Sequence, residues 1–133
     1  MSLSPQCRDI ASLCPCVRRR YMELLAHVAV YMLHQTTLIE TLRQEDRQAY
    51  YVRVGASRTM HSMHLAQPPN GLALAFDLAP TVYLSERAWH LEGELWYVLG
   101  DAGEALGLEW GGRWGFRDMP HFQLRRCACV EGG

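Results

Sequence analysis

The chain has 133 residues, of which 49% are hydrophobic and 20% are charged. This length and composition are typical of one compact domain and exclude a disordered or fibrous chain. The formal net charge of −1 excludes a strong field of either sign, so we expect no nucleic-acid binding and no stable membrane association. We predict a monomer with a single domain over residues 1–133, its core at about 17–126 and tails at 1–16 and 127–133.

The amino terminus carries no predicted signal peptide. Residues 1–16 contain Pro5, Asp9 and Pro15 and lack the apolar run that such a peptide needs. We therefore expect synthesis in the cytoplasm, and any action outside the cell would need a separate means of release.

The first half of the chain predicts a helix, a strand, a second helix and a loop. Residues 17–34 carry apolar side chains at helical spacing, which predicts an amphipathic helix. Residues 36–42 predict a short strand and residues 44–54 a second helix. Residues 55–70 are loop-like, because two prolines and an asparagine near their end break regular structure.

The second half predicts two further strands and one helix. The apolar run at 71–78 predicts a buried strand, and residues 121–127 predict the last strand. Between them a helix is predicted over 85–106, with Ser85 as its N-cap, two weakening internal glycines, and Gly107 as its end. This order predicts an α+β fold in which helices flank a small antiparallel sheet.

The cysteines form two Cys-x-Cys pairs and one single residue. An odd number of cysteines and cytoplasmic synthesis argue against a disulfide framework. The pairs could form a second metal site, but their spacing is one residue shorter than the usual Cys-x-x-Cys. We therefore favour thiols without a metal, and we expect Cys14→Ser and Cys129→Ser to leave metal content unchanged. The five are Cys7, Cys14, Cys16, Cys127 and Cys129.

Three side chains predict a metal site. Asp77 stands inside the apolar run LALAFDLA, where an ionised carboxylate is costly unless it is paired or bound to a metal. His64 and His121 supply two imidazoles. Two imidazoles and one carboxylate are the ligands of a zinc site with one open position, which can activate water for catalysis.

Two further residues predict catalytic roles near that site. Asp118 lies three residues before His121, where it could act as a base instead of a ligand. Arg43 offers a fixed positive charge for a developing oxyanion. The common metalloprotease motif His-Glu-x-x-His is absent from the sequence, which does not support that class.

These residues stand in segments that resemble a known family. SMH at 62–64, GLALAFD at 71–77 and above all LGLEWGGRWGFRDMPHF at 106–122 resemble the zinc D,D-carboxypeptidases, D-Ala-D-Ala dipeptidases and L-alanyl-D-glutamate endopeptidases, including phage endolysins. ETLRQEDRQ at 40–48 and GASRT at 55–59 are similar to upstream segments of that family. The resemblance implies a Hedgehog/D,D-peptidase-like fold.

The resemblance also implies a role for each site residue. It implies that His64, Asp77 and His121 bind Zn²⁺, that Asp118 is the catalytic base, and that Arg43 contacts the substrate carbonyl. It further implies substrate contacts by Ser62 and Trp114, with Trp110 either near the site or in the core. The spacing from His64 to Asp77 is longer here than in the family pattern, because AQPPNG intervenes.

The resemblance implies a zinc peptidase of peptidoglycan stem peptides. The Trp-Gly-Gly segment favours an L-alanyl-D-glutamate endopeptidase acting as a phage or prophage endolysin, made in the cytoplasm and released to the cell wall by a holin. The alternative enzyme is a D-alanyl-D-alanine carboxypeptidase. Two other classes are a non-catalytic zinc-containing wall-binding protein and a sensor that uses the Cys-x-Cys pairs.

Overall fold

The computed structural model describes residues 2–31, 35–85 and 92–127. The described residues contain three α-helices, four β-strands and three short 3-10 turns. The helices and strands are α1 (Pro15–Tyr31), β1 (Thr36–Glu40), α2 (Glu45–Arg53), β2 (Ala75–Pro80), α3 (Glu94–Ala105), β3 (Glu109–Trp110) and β4 (His121–Gln123). The 3-10 turns are Ile10–Ser12, Thr81–Ser85 and Gly111–Arg113. Within these residues, no helix is long and apolar enough to cross a membrane.

The strands form one antiparallel sheet in the order β1-β2-β4-β3. One face of the sheet packs on the helices: Phe76 of β2 stacks on Phe122 of β4, and Tyr21 of α1 meets Phe76 edge to face. The side chains of Phe76 and Phe122 are fully buried. The predicted α+β fold with a small antiparallel sheet is confirmed, and the core occupies the helix-covered face.

The core extends further towards the amino terminus than the sequence predicts. Helix α1 begins at Pro15, and a proline suits the first helical position because its missing N–H needs no partner there. Leu13 forms a bridge to Ala73 and is fully buried. The buried residues therefore begin before the predicted limit of about residue 17. The predicted first helix is confirmed as far as Tyr31, and its last three residues lie outside the described chain.

Three other predicted boundaries are corrected by the structure. Strand β2 begins at Ala75 and not at residue 71, because Gly71 sits in a turn with φ of +75°. Ser85 ends a 3-10 turn, and the N-cap of α3 is Gly93. Residues 86–91 of the predicted third helix lie outside the described residues. Strand β4 ends at Gln123, before the predicted end at residue 127.

Two glycines allow α3 to lie close to the sheet. A side chain at Gly103 would overlap the ring of Phe122, and one at Gly100 would overlap the indole of Trp110. Their lower helix propensity is therefore offset by the close packing that they permit. Gly107 has φ of +90° just after α3, as expected of a residue that ends a helix.

Gly103→Ala is expected to destabilise the protein by about 1–3 kcal/mol, because overpacking against Phe122 outweighs the ~1 kcal/mol gain in helix propensity. Urea unfolding measures the change. Gly115→Ala is the control, since a Cβ there would meet no atom within 4 Å in the described residues. Equal stability of Gly103→Ala and wild type would contradict the close packing of α3 on β4.

Candidate metal centre and active site

Three neighbouring strands place Glu40, Asp77 and His121 in one row across the sheet. Asp77 pairs with His121 on one side and with Glu40 on the other. A bulge between Leu38 and Glu40 shifts the register of β1 at this point. A β-bulge changes the direction in which nearby side chains point, and this one brings the Glu40 carboxylate beside the site.

His64 reaches the same place from the loop before β2. Its Nε2 lies 3.1 Å from Oδ1 of Asp77, and Nδ1 of His121 lies 3.4 Å from the same oxygen. One donor atom from each of the three residues lies within 4.8 Å of the others. Both imidazoles are buried, with exposures of 1% for His64 and 4% for His121. The structure thus brings together the three predicted ligands.

Hydrogen bonds fix which nitrogen of each imidazole faces Asp77. Nδ1 of His64 donates to the carbonyl oxygen of Thr41 at 2.8 Å, so Nε2 is the atom left to face Asp77. Nε2 of His121 donates to the side-chain oxygen of Gln123 at 2.7 Å, so Nδ1 carries the lone pair. That buried Nδ1 makes no hydrogen bond within the described residues.

This arrangement fits a bound cation. In their neutral forms the two imidazoles direct lone pairs at a carboxylate oxygen, and these electron-rich atoms are stabilised together only by a positive charge between them. When no cation is bound, burial opposes ionisation of Asp77, but the positive charges and hydrogen bonds of the protonated forms of His64 and His121 hold its pKa well below its usual range. Two nitrogens and one oxygen are also the donor set of catalytic zinc sites, with supporting hydrogen bonds of the kind seen here.

Asp118 lies beside the three predicted ligands and is not one of the group that they form. Its Oδ2 is 3.7 Å from Nδ1 of His121, and its side chain keeps 44% of its surface exposed. Partial burial and the Asp77 carboxylate raise the pKa of Asp118. Gly111 holds the turn, because its carbonyl oxygen accepts from the backbone N–H of Asp118 at 2.9 Å and a side chain there would overlap Asp118.

Arg43 connects the site to a buried charge network. Its guanidinium donates twice to Oε1 of Glu40, at 2.7 and 3.0 Å, and once to Gln48. Its Nη2 lies 3.6 Å from Oδ2 of Asp77. The Glu40 carboxylate is 1% exposed, and Arg47 also pairs with it. Arg43 is therefore held next to the oxygen of Asp77 that does not face the histidines.

Ser62 and Trp114 lie at the cleft and Trp110 lies in the core. Ser62 accepts a hydrogen bond from the backbone N–H of His64 at 3.1 Å. The indole of Trp114 packs on His121 with ring centroids 5.0 Å apart and donates to Glu109 at 2.8 Å. Trp110 is 1% exposed and donates to the carbonyl oxygen of Met119.

A cleft of about 340 Å³ opens over these residues. Its lining includes Arg43, Ser62, His64, Trp114, Asp118 and His121. A larger groove of about 720 Å³ adjoins it, and Arg43 and His61 line both. The smaller cleft contains most of the predicted site residues, and the larger groove extends it past Arg43.

Sequence reasoning missed several residues that position the site. The Gln123 oxygen orients His121, and its position two residues later on the same strand was a usable signal because both side chains share a face. The Thr41 carbonyl orients His64, and a backbone group leaves no signal in the sequence. Glu40 stood in the ETL segment, but its burial against Arg43 depends on the bulge in β1.

The Glu109 carboxylate holds Trp114 in place by accepting a hydrogen bond from its indole N–H. Burial opposes ionisation of Glu109, but hydrogen bonds from Arg125 and Trp114 hold its pKa below the usual value. A carboxylate with a lowered folded pKa stabilises the fold above its unfolded pKa, about 4.3 for Glu, and that stability is lost as the pH falls through the folded pKa.

Glu109→Gln is therefore expected to lower the free energy of unfolding by about 0.5–1.5 kcal/mol at pH 7, and less as the pH falls below ~4. Urea unfolding across that pH range measures it. Glu23→Gln removes an exposed pair with Arg19 and should cost less than about 0.5 kcal/mol throughout. This role would be contradicted if the loss of unfolding free energy caused by Glu109→Gln became larger as the pH fell.

Comparison with known proteins identifies the family. A family model described as D-alanyl-D-alanine carboxypeptidase matches residues 55–124. The L-alanyl-D-glutamate peptidase of Listeria phage A118 is 38% identical over 91 residues, which are 68% of this chain and 30% of the relative. The crystal structure of the Serratia marcescens L-Ala D-Glu endopeptidase ChiX matches with a TM-score of 0.57 and 26% identity, over 86% of this chain and 82% of that one.

The chain belongs to the D-alanyl-D-alanine carboxypeptidase family of peptidases. The matched segment is more than half of the chain and contains His64, Asp77, Asp118 and His121. The resemblance seen in the sequence is thus confirmed. Arg43 lies before the matched segment, and the chain spans less than a third of the length of the phage relative.

Proposed function

We propose that this protein is a zinc-dependent peptidase that cuts the L-Ala–D-Glu bond in the stem peptide of peptidoglycan. The observation that carries the proposal is the convergence of His64, Asp77 and His121 at a cleft that His64, His121 and Asp118 line. His64 Nε2, an Asp77 oxygen and His121 Nδ1 would hold the zinc. Bound there, zinc would supply a Lewis acid that polarises a peptide carbonyl and acidifies water.

Asp118 moves the proton in the proposed reaction. Its carboxylate accepts a proton from the attacking water and then gives it to the amine nitrogen of the leaving peptide. A raised pKa suits both steps, because a base with a pKa nearer the working pH is stronger and its acid form remains available. Its partly exposed side chain lines the cleft, where a substrate can reach it.

Arg43 is proposed to contact the substrate carbonyl. Three of its hydrogen bonds go to Glu40 and Gln48, and a guanidinium carries five N–H donors, so two remain for other partners. Arg43 also lines the cleft. The pairing with Glu40 fixes the orientation of the guanidinium before substrate binds, which lowers the entropic cost of the contact.

Ser62 and Trp114 are proposed to bind the stem peptide. Both line the cleft, and Trp114 is held by His121 on one side and by Glu109 on the other. An indole fixed in this way offers a rigid apolar wall for the alanine side of the bond. The adjoining groove of about 720 Å³ could take the remainder of the peptide.

The names of two relatives favour the L-Ala–D-Glu bond as the one that is cut. The Listeria phage and Serratia proteins are both named for the L-Ala–D-Glu linkage. The second candidate is a D-alanyl-D-alanine carboxypeptidase, which the description of the matching family model favours. A non-catalytic wall-binding protein is disfavoured, since Asp118 and Arg43 are both present at the cleft.

The similarity to a phage peptidase also favours the role of an endolysin for this protein. In this proposal the protein is made in the host cytoplasm, needs a holin to leave it, and acts as a monomer on the cell wall after release. Neither nucleic acid nor a membrane is a proposed partner.

Mass spectrometry of muropeptides tests the proposal. Purified peptidoglycan is digested with the zinc-loaded protein, and the products are compared with those of an undigested sample. Cleavage as proposed leaves glycan-linked L-Ala and stem peptides with a new amino-terminal D-Glu. Release of free D-Ala would overturn this choice in favour of the carboxypeptidase, and unchanged muropeptides would contradict both.

A further inference from the structure

Three cysteines from opposite ends of the sequence meet in the fold, away from the cleft. We propose that Cys14, Cys16 and Cys127 form a second zinc site, which joins the start of α1 to the segment after β4. One sulfur from each lies within 4.8 Å of the others. Cys14 and Cys127 are 113 residues apart in the chain, and none of the three lines the catalytic cleft.

The three sulfurs lie close enough together to bind one metal ion. Thiolates bound to one zinc by bonds of ~2.3 Å lie about 3.8 Å apart. Here Sγ of Cys14 is 2.7 Å from Sγ of Cys127 and 3.4 Å from Sγ of Cys16. Both distances are shorter than this spacing, so zinc binding would move these sulfurs apart by about 1 Å at most. Thiolate sulfur selects zinc over magnesium or calcium.

Two neighbouring groups suit metal-bound thiolates at this place. Cys14 and Cys16 flank Pro15, the first residue of α1, so both lie at the amino end of a 17-residue helix, where its dipole favours anions. The side-chain amide of Asn70 donates to the sulfur of Cys14 at 3.7 Å. Hydrogen bonds of this kind support metal-bound thiolates. Asn70 belongs to the segment that lengthens the spacing between His64 and Asp77.

The site is closed, as expected of a structural zinc site. Cys14 is 1% exposed and Cys16 is 4% exposed, and Cys127 is half-buried. Structural zinc sites use four protein ligands, and three thiols come from the described residues. Binding replaces the thiol protons with zinc, releases those protons to solvent and transfers no electrons.

The clustering of these three cysteines favours a metal site, whereas the sequence alone favours cysteines that bind no metal. The short spacing within each pair argued against a Cys-x-x-Cys knuckle, but the fold joins one pair to the other end of the chain. A crosslink between distant segments restricts the unfolded chain strongly, so this zinc would stabilise the fold and take no part in catalysis.

Metal analysis of the full chain tests the site. Protein purified under reducing conditions is dialysed against metal-free buffer, and zinc per chain is measured for wild type and for Cys14→Ser/Cys127→Ser. The double variant is expected to hold one zinc fewer and to melt at least ~5 °C lower. Cys7→Ser is the control and should match wild type, because Cys7 bonds with Ser12 and Thr41 outside the cluster.

Cobalt substitution separates this site from the histidine centre. Wild type and Asp77→Asn loaded with Co²⁺ should both show an intense thiolate-to-cobalt charge-transfer band in the near ultraviolet. Absence of that band from wild type would overturn the proposal, even if the double variant failed to fold. Equal zinc in wild type and the double variant, or a Cys14–Cys127 disulfide in peptide mapping, would also overturn it. Failure of the proposed peptidase function would leave this band unchanged.

Discussion

Asp118→Asn is expected to lower kcat on peptidoglycan by about 10²–10⁴-fold while leaving zinc content unchanged. The amide cannot accept the proton of the attacking water, but it has nearly the same size as the carboxylate. Asp118 lies 3.7 Å from His121 and is not one of the three donors, so its neutralisation leaves the ligands in place. Turbidity loss of purified cell walls measures the rate, and elemental analysis measures the metal.

Asp101→Asn provides the matched control for this variant. Asp101 lies on α3 in an exposed pair with Arg113, so the same chemical change there should alter neither activity nor metal content. Lysis by Asp118→Asn at the wild-type rate would show that another group carries the proton.

Asp77→Asn is expected to abolish both activity and metal binding at the histidine centre. Its Oδ1 faces both imidazoles, at 3.1 Å from Nε2 of His64 and 3.4 Å from Nδ1 of His121. Loss of a residue that only supports a ligand costs ~10–100-fold in metal affinity, and loss of the ligand's charge should cost more. Zinc titration followed by calorimetry measures the affinity.

Asp118→Asn is the control for Asp77→Asn, since it also removes one carboxylate charge near the histidines. Asp118→Asn should bind zinc at the histidine centre as tightly as wild type does. Comparison of the two variants therefore distinguishes the loss of a nearby negative charge from the loss of a metal ligand. Retention of wild-type zinc affinity and activity by Asp77→Asn would rule out Asp77 as a ligand.

Which residues meet at the site could be predicted from the sequence, because these residues stand out from their surroundings. Asp77 is a carboxylate in an apolar strand, and His121 directly follows Asp-Met-Pro at the end of the segment that resembles the family. Both observations hold without knowledge of the fold. The separation of Trp114 from Trp110 could not be predicted, because both are aromatic residues beside glycines and only packing distinguishes them.

Features that depend on pairing between distant segments escaped sequence analysis. The bulge that brings Glu40 to Asp77 is a property of two strands together. Strand β3 has two residues, too few for any periodicity, and exists because Trp110 pairs with Phe122. The meeting of Cys14 with Cys127 likewise depends on how α1 and the segment after β4 pack. Local propensity carries no information about such contacts.

X-ray diffraction at the zinc absorption edge tests the central claim most directly. Crystals grown with zinc should show an anomalous peak in contact with Nε2 of His64, an Asp77 oxygen and Nδ1 of His121, with one coordination position facing the cleft. Absence of a peak there, with the three side chains in the arrangement described, would contradict the account of this protein as a zinc peptidase.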